Sequence, residues 1–108
     1  SWNELALLME THPCVVVVGI FAWSNYSMDV LSSLVEKEDE FRERDIGLAA
    51  FRLGAPEHVE AMCPDFLPHL QTATTEPIVG EFLNGQLVYV TCGPESADAI
   101  LARIRNRE

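Results

Sequence analysis

Eight consecutive residues, Cys14-Val15-Val16-Val17-Val18-Gly19-Ile20-Phe21, carry no polar side chain, and five of them are β-branched. A half-exposed strand would alternate apolar and polar residues, and a surface helix would interleave them every three or four. A short continuous β-branched run instead reads as a central strand covered on both faces. Such a strand requires a neighbour on each side and a helical layer above and below. Extended to Ala22 the run is still far short of the ~20 residues a membrane-spanning helix needs.

The remaining chain supplies those parts. Ser1 with Glu4 has capping-box spacing, and Trp2, Leu5, Leu8 and Met9 share one helical face until Thr11-His12-Pro13 ends the helix. After the strand, Ser24-Asn25-Tyr26-Ser27 carries helix-capping residues. The helix that follows turns Val30, Leu31, Leu34, Val35 and Phe41 inward and a solvated face of Glu36, Lys37, Glu38, Asp39, Glu40 and Glu43 outward. Ile46 to Leu53 reads as a second strand closed by Gly54, and Pro56-Glu57 opens a short helix to about Met62. Pro64 and Pro68 break the chain, and Gln71 to Thr75 reads as polar loop. Ile78–Leu83 and Leu87–Thr91 flank Asn84-Gly85, a strong hairpin signal. Gly93-Pro94-Glu95 opens a last helix with Ile100, Leu101 and Ile104 inward, and Arg103, Arg105 and Arg107 suit its negative C-terminal end.

Two strands joined through a helix are parallel with a right-handed crossover, and a hairpin is antiparallel. The expectation is therefore an α/β domain over residues 1–108, with a mixed four-stranded sheet and helices on both faces. The chain begins at Ser1, without Met, and enters a helix at once, as a domain cut from a longer protein would.

Seven Lys and Arg against seventeen Asp and Glu give a formal charge of −10. That balance opposes binding to nucleic acid or to an anionic membrane surface, and suits a basic or polar protein partner. Cys14, Cys63 and Cys92 are an odd, widely spaced set with no C-x-x-C, so neither a disulfide scaffold nor a zinc ribbon is expected. Unpaired thiols point to the cytosol. His58, Met62 and Cys63 share one short segment without a second ligand pair, and His12, His58 and His69 are scattered without a G-x-S-x-G. No metal, cofactor or serine-protease-type triad is expected.

Three landmarks, in order, resemble the thioredoxin family over nearly the whole chain. The buried strand ends in Phe21-Ala22-Trp23 and leads into a helix, as the family's W-A-x-W precedes C-G-P-C. Glu76-Pro77-Ile78-Val79-Gly80-Glu81-Phe82-Leu83-Asn84-Gly85-Gln86 is similar to the family's I-P-T-x-x-x-F-x-N-G-x run. Gly93 stands between the last strand and the last helix. The resemblance implies a thioredoxin-like fold, without the family's first strand, and a cis peptide bond before Pro77.

The departures concern chemistry. Where the family has C-x-x-C, this chain has Ser24-Asn25-Tyr26-Ser27. Thiol–disulfide exchange needs a thiolate attacker and a second sulfur, and neither serine supplies one. Val18 aligns with the family's buried Asp, and Ser32 with its helix-kinking proline. The stretch from Gly54 to Pro77 is longer than the family's and is a candidate binding loop. By resemblance, a peptide-docking surface would comprise Trp23, Ser24, Asn25, Tyr26 and Ser27 together with Glu76, Pro77 and Gly93. The expectation is thus a redox-inactive, thioredoxin-like module that binds a protein or peptide in a chaperone-like or scaffolding role. The alternative is a glutathione-like ligand or transferase site using serine at the helix N-terminus.

Overall fold

The structure, a computed structural model, describes residues 2–20, 25–53, 56–72 and 77–106. Its elements run α1 (Trp2–Thr11), β1 (Cys14–Ile20), α2 (Asn25–Glu36), α3 (Glu38–Glu43), β2 (Ile46–Arg52), α4 (Pro56–Met62), a 3₁₀ turn (Pro64–Phe66), α5 (His69–Thr72), β3 (Ile78–Leu83), β4 (Gln86–Cys92) and α6 (Ser96–Asn106). The sheet order is β2-β1-β3-β4. β1 pairs parallel with β2 and antiparallel with β3, and β3 pairs antiparallel with β4. This is the mixed four-stranded sheet expected from the crossover and the hairpin.

All seven residues of β1 are buried, because its side chains alternate into two separate cores. On one face Val16 and Val18 meet Val30 and Leu34 of α2, Phe41 of α3, and Ile100 and Ile104 of α6. On the other, Val15 and Val17 meet Leu5 of α1, Val59 of α4 and Phe66 of the 3₁₀ turn. Phe66 reaches the sheet over Gly80, where a Cβ would stand 2.7 Å from its ring. Val59, Cys63 and Phe66 are fully buried, so this part of the Gly54–Pro77 stretch, a candidate binding loop by sequence, is core rather than free loop.

Three local expectations are corrected. The helix after β1 does not run unbroken to Glu43 but restarts after Lys37. The Lys37 N–H closes a short turn on the Leu34 carbonyl, and the Phe41 N–H then bonds the Lys37 carbonyl. Val35 is not inward but half exposed, at 50%. At 100° per residue it stands about 140° around the helix from Val30, off the Val30–Leu34 stripe. Gln71 and Thr72, expected in loop, belong to the short helix α5.

The β3–β4 turn places Asn84 at φ 51° and Gly85 at φ 81°. Positive φ at both central positions is the two-residue turn whose twist matches a hairpin. A two-residue turn alone would set Ile78 opposite Thr91. A β-bulge intervenes: Phe82 pairs with Leu87 but Glu81 with Tyr89, leaving Val88 as the additional residue and setting Ile78 opposite Cys92.

Candidate functional site

β1 runs antiparallel to β3 with Gly19 opposite Ile78. Ile20, the last residue of β1, and Pro77, which leads into β3, therefore lie at the same end of the sheet.

Trp23, Ser24 and Glu76 lie outside the described residues, as does the side chain of Tyr26. Asn25 opens α2 and is exposed, whereas Ser27, two residues on, is fully buried. Pro77 is buried, and its carbonyl accepts a hydrogen bond from the Gly93 N–H at 3.0 Å. Gly93 sits at φ 94°, in the region that glycine alone adopts without strain. Its own carbonyl accepts from the Ser96 hydroxyl at 2.6 Å and from the Ser96 N–H at 3.1 Å. Pro77, Gly93 and Ser96 thus form one connected backbone support, in which the start of α6 fixes the strand β3 will extend.

Cys92, placed by sequence only at a strand end, stands opposite Ile78 and next to Gly93. It is the half-buried thiol of the three, while Cys14 and Cys63 are buried. Burial, with the Asp65 charge second, pushes the Cys63 thiol up to about 12, which leaves it without thiolate at neutral pH. A groove of about 510 Å³ follows β4 from Leu87 to Cys92, with His69 on its wall. The bulge at Val88 brings Cys92 here, and no local signal in the sequence announced it.

Two ion-pair clusters brace the helices behind the site. Glu81, fully buried in β3, accepts hydrogen bonds on one oxygen from Arg103 Nε at 3.2 Å and Nη2 at 3.1 Å. The Arg103 guanidinium lies over the Tyr89 ring, 4.2 Å from its centre. Across α3 and α6, Arg105 clamps Glu40 with two bonds of 2.9 and 2.8 Å, and Arg44 approaches the same carboxylate at 3.3 Å. Held foremost by Arg105, Glu40 titrates at about 2 rather than 4.5. The expected roles of these residues change accordingly. Glu40 is not solvated face, and Arg103 and Arg105 serve specific carboxylates besides the end of α6.

Among the described residues no group of three His, Cys, Asp or Glu could hold a metal ion. No described helix is long and apolar enough to cross a membrane.

The architecture is that of the thioredoxin fold, and solved structures bear this out. The chain is similar to mitochondrial thioredoxin 3 from Saccharomyces cerevisiae in its oxidized form (15% identity, TM-score 0.68, covering 96% of this chain and 88% of that one). It is also similar to oxidised thioredoxin from Plasmodium falciparum (14% identity, TM-score 0.69, 99% and 92%) and to thioredoxin from Fasciola hepatica (13% identity, TM-score 0.68, 98% and 92%). At such identities the likeness establishes the fold and nothing finer. No protein-family model and no curated protein matches the sequence.

Proposed function

We propose that this domain binds an extended segment of a protein partner at the Pro77–Gly93 end of the sheet and performs no disulfide exchange. The observation that carries the reading is the pair of hydroxyls at Ser24 and Ser27, where the resembled family has its two sulfurs. A hydroxyl cannot form the mixed disulfide through which exchange proceeds. Pro77 remains tied to Gly93, which supports retention of the docking geometry after loss of the chemistry. The edge of an extended peptide added there would pair by main-chain hydrogen bonds, with side-chain pockets setting preference. A basic or polar partner suits a chain of charge −10.

The rival reading, a thiol ligand held by serine at the start of α2, loses one of its two hydroxyls, because Ser27 is fully buried. Insulin reduction separates the readings from an active oxidoreductase. The unaltered protein is expected to show no turnover, and Ser24→Cys with Ser27→Cys to gain it. Turnover by the unaltered protein overturns the proposal. Specific retention on immobilised glutathione transfers the assignment to the ligand reading.

A further inference from the structure

β4 is an outer strand of the sheet, and no described strand lies beyond it. Along it, Leu87-Val88-Tyr89-Val90-Thr91-Cys92 carries no charge and no proline, the residues that commonly guard a free edge, and Val88 is 46% exposed. The bulge at Val88 disturbs only the turn end, and from Tyr89 to Cys92 the pairing with β3 is regular. The Gly93 N–H bonds the Pro77 carbonyl, which makes Pro77–Gly93 a hydrogen-bonded pair. Along an antiparallel ladder such pairs alternate with pairs that exchange no bonds. Ile78–Cys92 and Gly80–Val90 are of the second kind, so Val90 and Cys92 turn N–H and C=O outward.

Charge is distributed unevenly about this edge. The groove of about 510 Å³ along Leu87–Cys92 has no carboxylate in its lining. Glu38, Asp39 and Glu43 are exposed on α3, which packs against β2 at the opposite edge. Three strand spacings separate the two edges, about 14 Å, which exceeds the screening length of about 8 Å at physiological salt. Beside β4, α6 turns back antiparallel to the strand. Glu95 is exposed just before its first turn, and Arg103, 42% exposed, lies over Tyr89. Asp98 stands about 140° around α6 from Arg103, off this flank. One acid and one base, two turns apart, therefore flank the same edge.

We propose that the β4 edge pairs antiparallel with β4 of a second copy of this chain, about a two-fold axis at Thr91, so that one sheet runs through both copies. In that register Val90 of each copy stands opposite Cys92 of the other. Both residues present outward N–H and C=O, so each pair exchanges both bonds, and the symmetry satisfies the two strands at once. Thr91 meets Thr91 across the axis, a favourable cross-strand pair. Antiparallel pairing also reverses one α6 relative to the other, and sets the Glu95 end of each toward Arg103 of its partner. The acidic α3 clusters stay at the two far edges. A peptide of another protein could use the same backbone groups but would leave the Glu95 and Arg103 flank unmatched. This interface does not depend on the Pro77–Gly93 reading, and insulin turnover does not report on it.

Sedimentation velocity on the whole chain, from about 10 µM to 1 mM, is expected to show a monomer–dimer equilibrium. Amide exchange at Val90 and Cys92 should slow as concentration rises. Thr91→Lys sets two like charges across the axis and is expected to weaken the dimer about ten-fold or more, with the circular dichroism spectrum unchanged. Thr91→Cys in a Cys92→Ser background should cross-link two copies under a mild oxidant. Its Cα atoms would stand about 4.5 Å apart, as in any pair without hydrogen bonds, which lies within disulfide range. Val88→Cys in the same background should not cross-link. A monomer at every concentration, a dimer indifferent to Thr91→Lys, or cross-linking at Val88→Cys as fast as at Thr91→Cys overturns the proposal. So does protection of Val90 and Cys92 only on addition of an apolar peptide, which would make a partner segment the occupant.

Discussion

Replacing Arg103 with alanine should be among the most damaging single changes on the helical surface. Its target, Glu81, is a carboxylate of 0% exposure in the middle of β3, opposite Val16 of β1. Removing one partner of a buried pair leaves a charge in a medium that solvates it poorly, at a cost of about 3–5 kcal/mol. Here the Arg103 side chain is 42% exposed, so water attenuates the pair, and the change is expected below that range, at about 2–3 kcal/mol. Loss of the guanidinium from the Tyr89 ring is contained in that figure, at about 0.5–1 kcal/mol. For a domain of this size the change should lower Tm by roughly 10–20 °C, a serious fraction of a total stability of about 5–15 kcal/mol. The discriminating comparison is the double variant Glu81→Leu with Arg103→Met. Replacing both charges by apolar groups of similar volume is commonly neutral or stabilising, so its urea midpoint should return to within about 1 kcal/mol of the unaltered protein. Urea melts of Glu81→Leu, Arg103→Met and the double, followed by circular dichroism, close the cycle and give the coupling energy. A loss below about 0.5 kcal/mol for Arg103→Ala, or a double variant no better than Arg103→Ala, refutes the assignment of Glu81 as a buried charge that Arg103 must neutralise.

Two further outcomes follow from the electrostatics. Glu40 titrates at about 2 in the folded chain against an ordinary 4.5, so its stabilisation is fully present above pH 4.5 and is lost as pH falls from 4.5 toward 2. Thermal melts of the unaltered protein and Glu40→Gln should therefore converge at the acid end, separate as pH rises from about 2 to 4.5, and keep a constant separation above that; a separation that does not change below pH 4.5 would contradict the Arg105 clamp. Among the thiols, Cys92 should react first with an aromatic disulfide reagent in native buffer, and Cys63 should wait for opening of the fold because of its burial and raised pKa. Mass spectrometry of partially labelled protein gives the order, and prior labelling of Cys63 would refute it.

The elements that the sequence made legible are those set by short-range pattern. Four consecutive valines imposed a covered strand, Asn84-Gly85 imposed a tight turn, and the helix between the first two strands imposed their parallel pairing. Position along a helix was harder. Val35 and Phe41 were both apolar and both expected inward, but Val35 stands about 140° around α2 from Val30 and is half exposed, whereas Phe41 on α3 is buried in the core. Glu40 resembled its acidic neighbours in sequence. Only the approach of α6, 65 residues later, turned it into a clamped carboxylate. Fold-level signals were local and redundant, whereas these roles depended on single long-range contacts.

The bulge at Val88 shows how far one such contact propagates. Side chains of a strand alternate between faces, so inserting one residue exchanges the faces of everything beyond it. Counted from the turn without a bulge, Val88 would stand opposite Glu81 and Thr91 opposite Ile78. With it, Tyr89 stands opposite Glu81, where Arg103 can lie on its ring, and Cys92 stands opposite Ile78, beside Gly93. The same insertion breaks the regularity of the β4 edge, while β2 on the far side of the sheet keeps seven regular pairs. A single residue in the last hairpin therefore aligns the partners of the buried charge and sets which thiol adjoins the Pro77 support. None of these follows from composition or from the type of any one residue, because register is a property of the pairing and is fixed only when the strands meet.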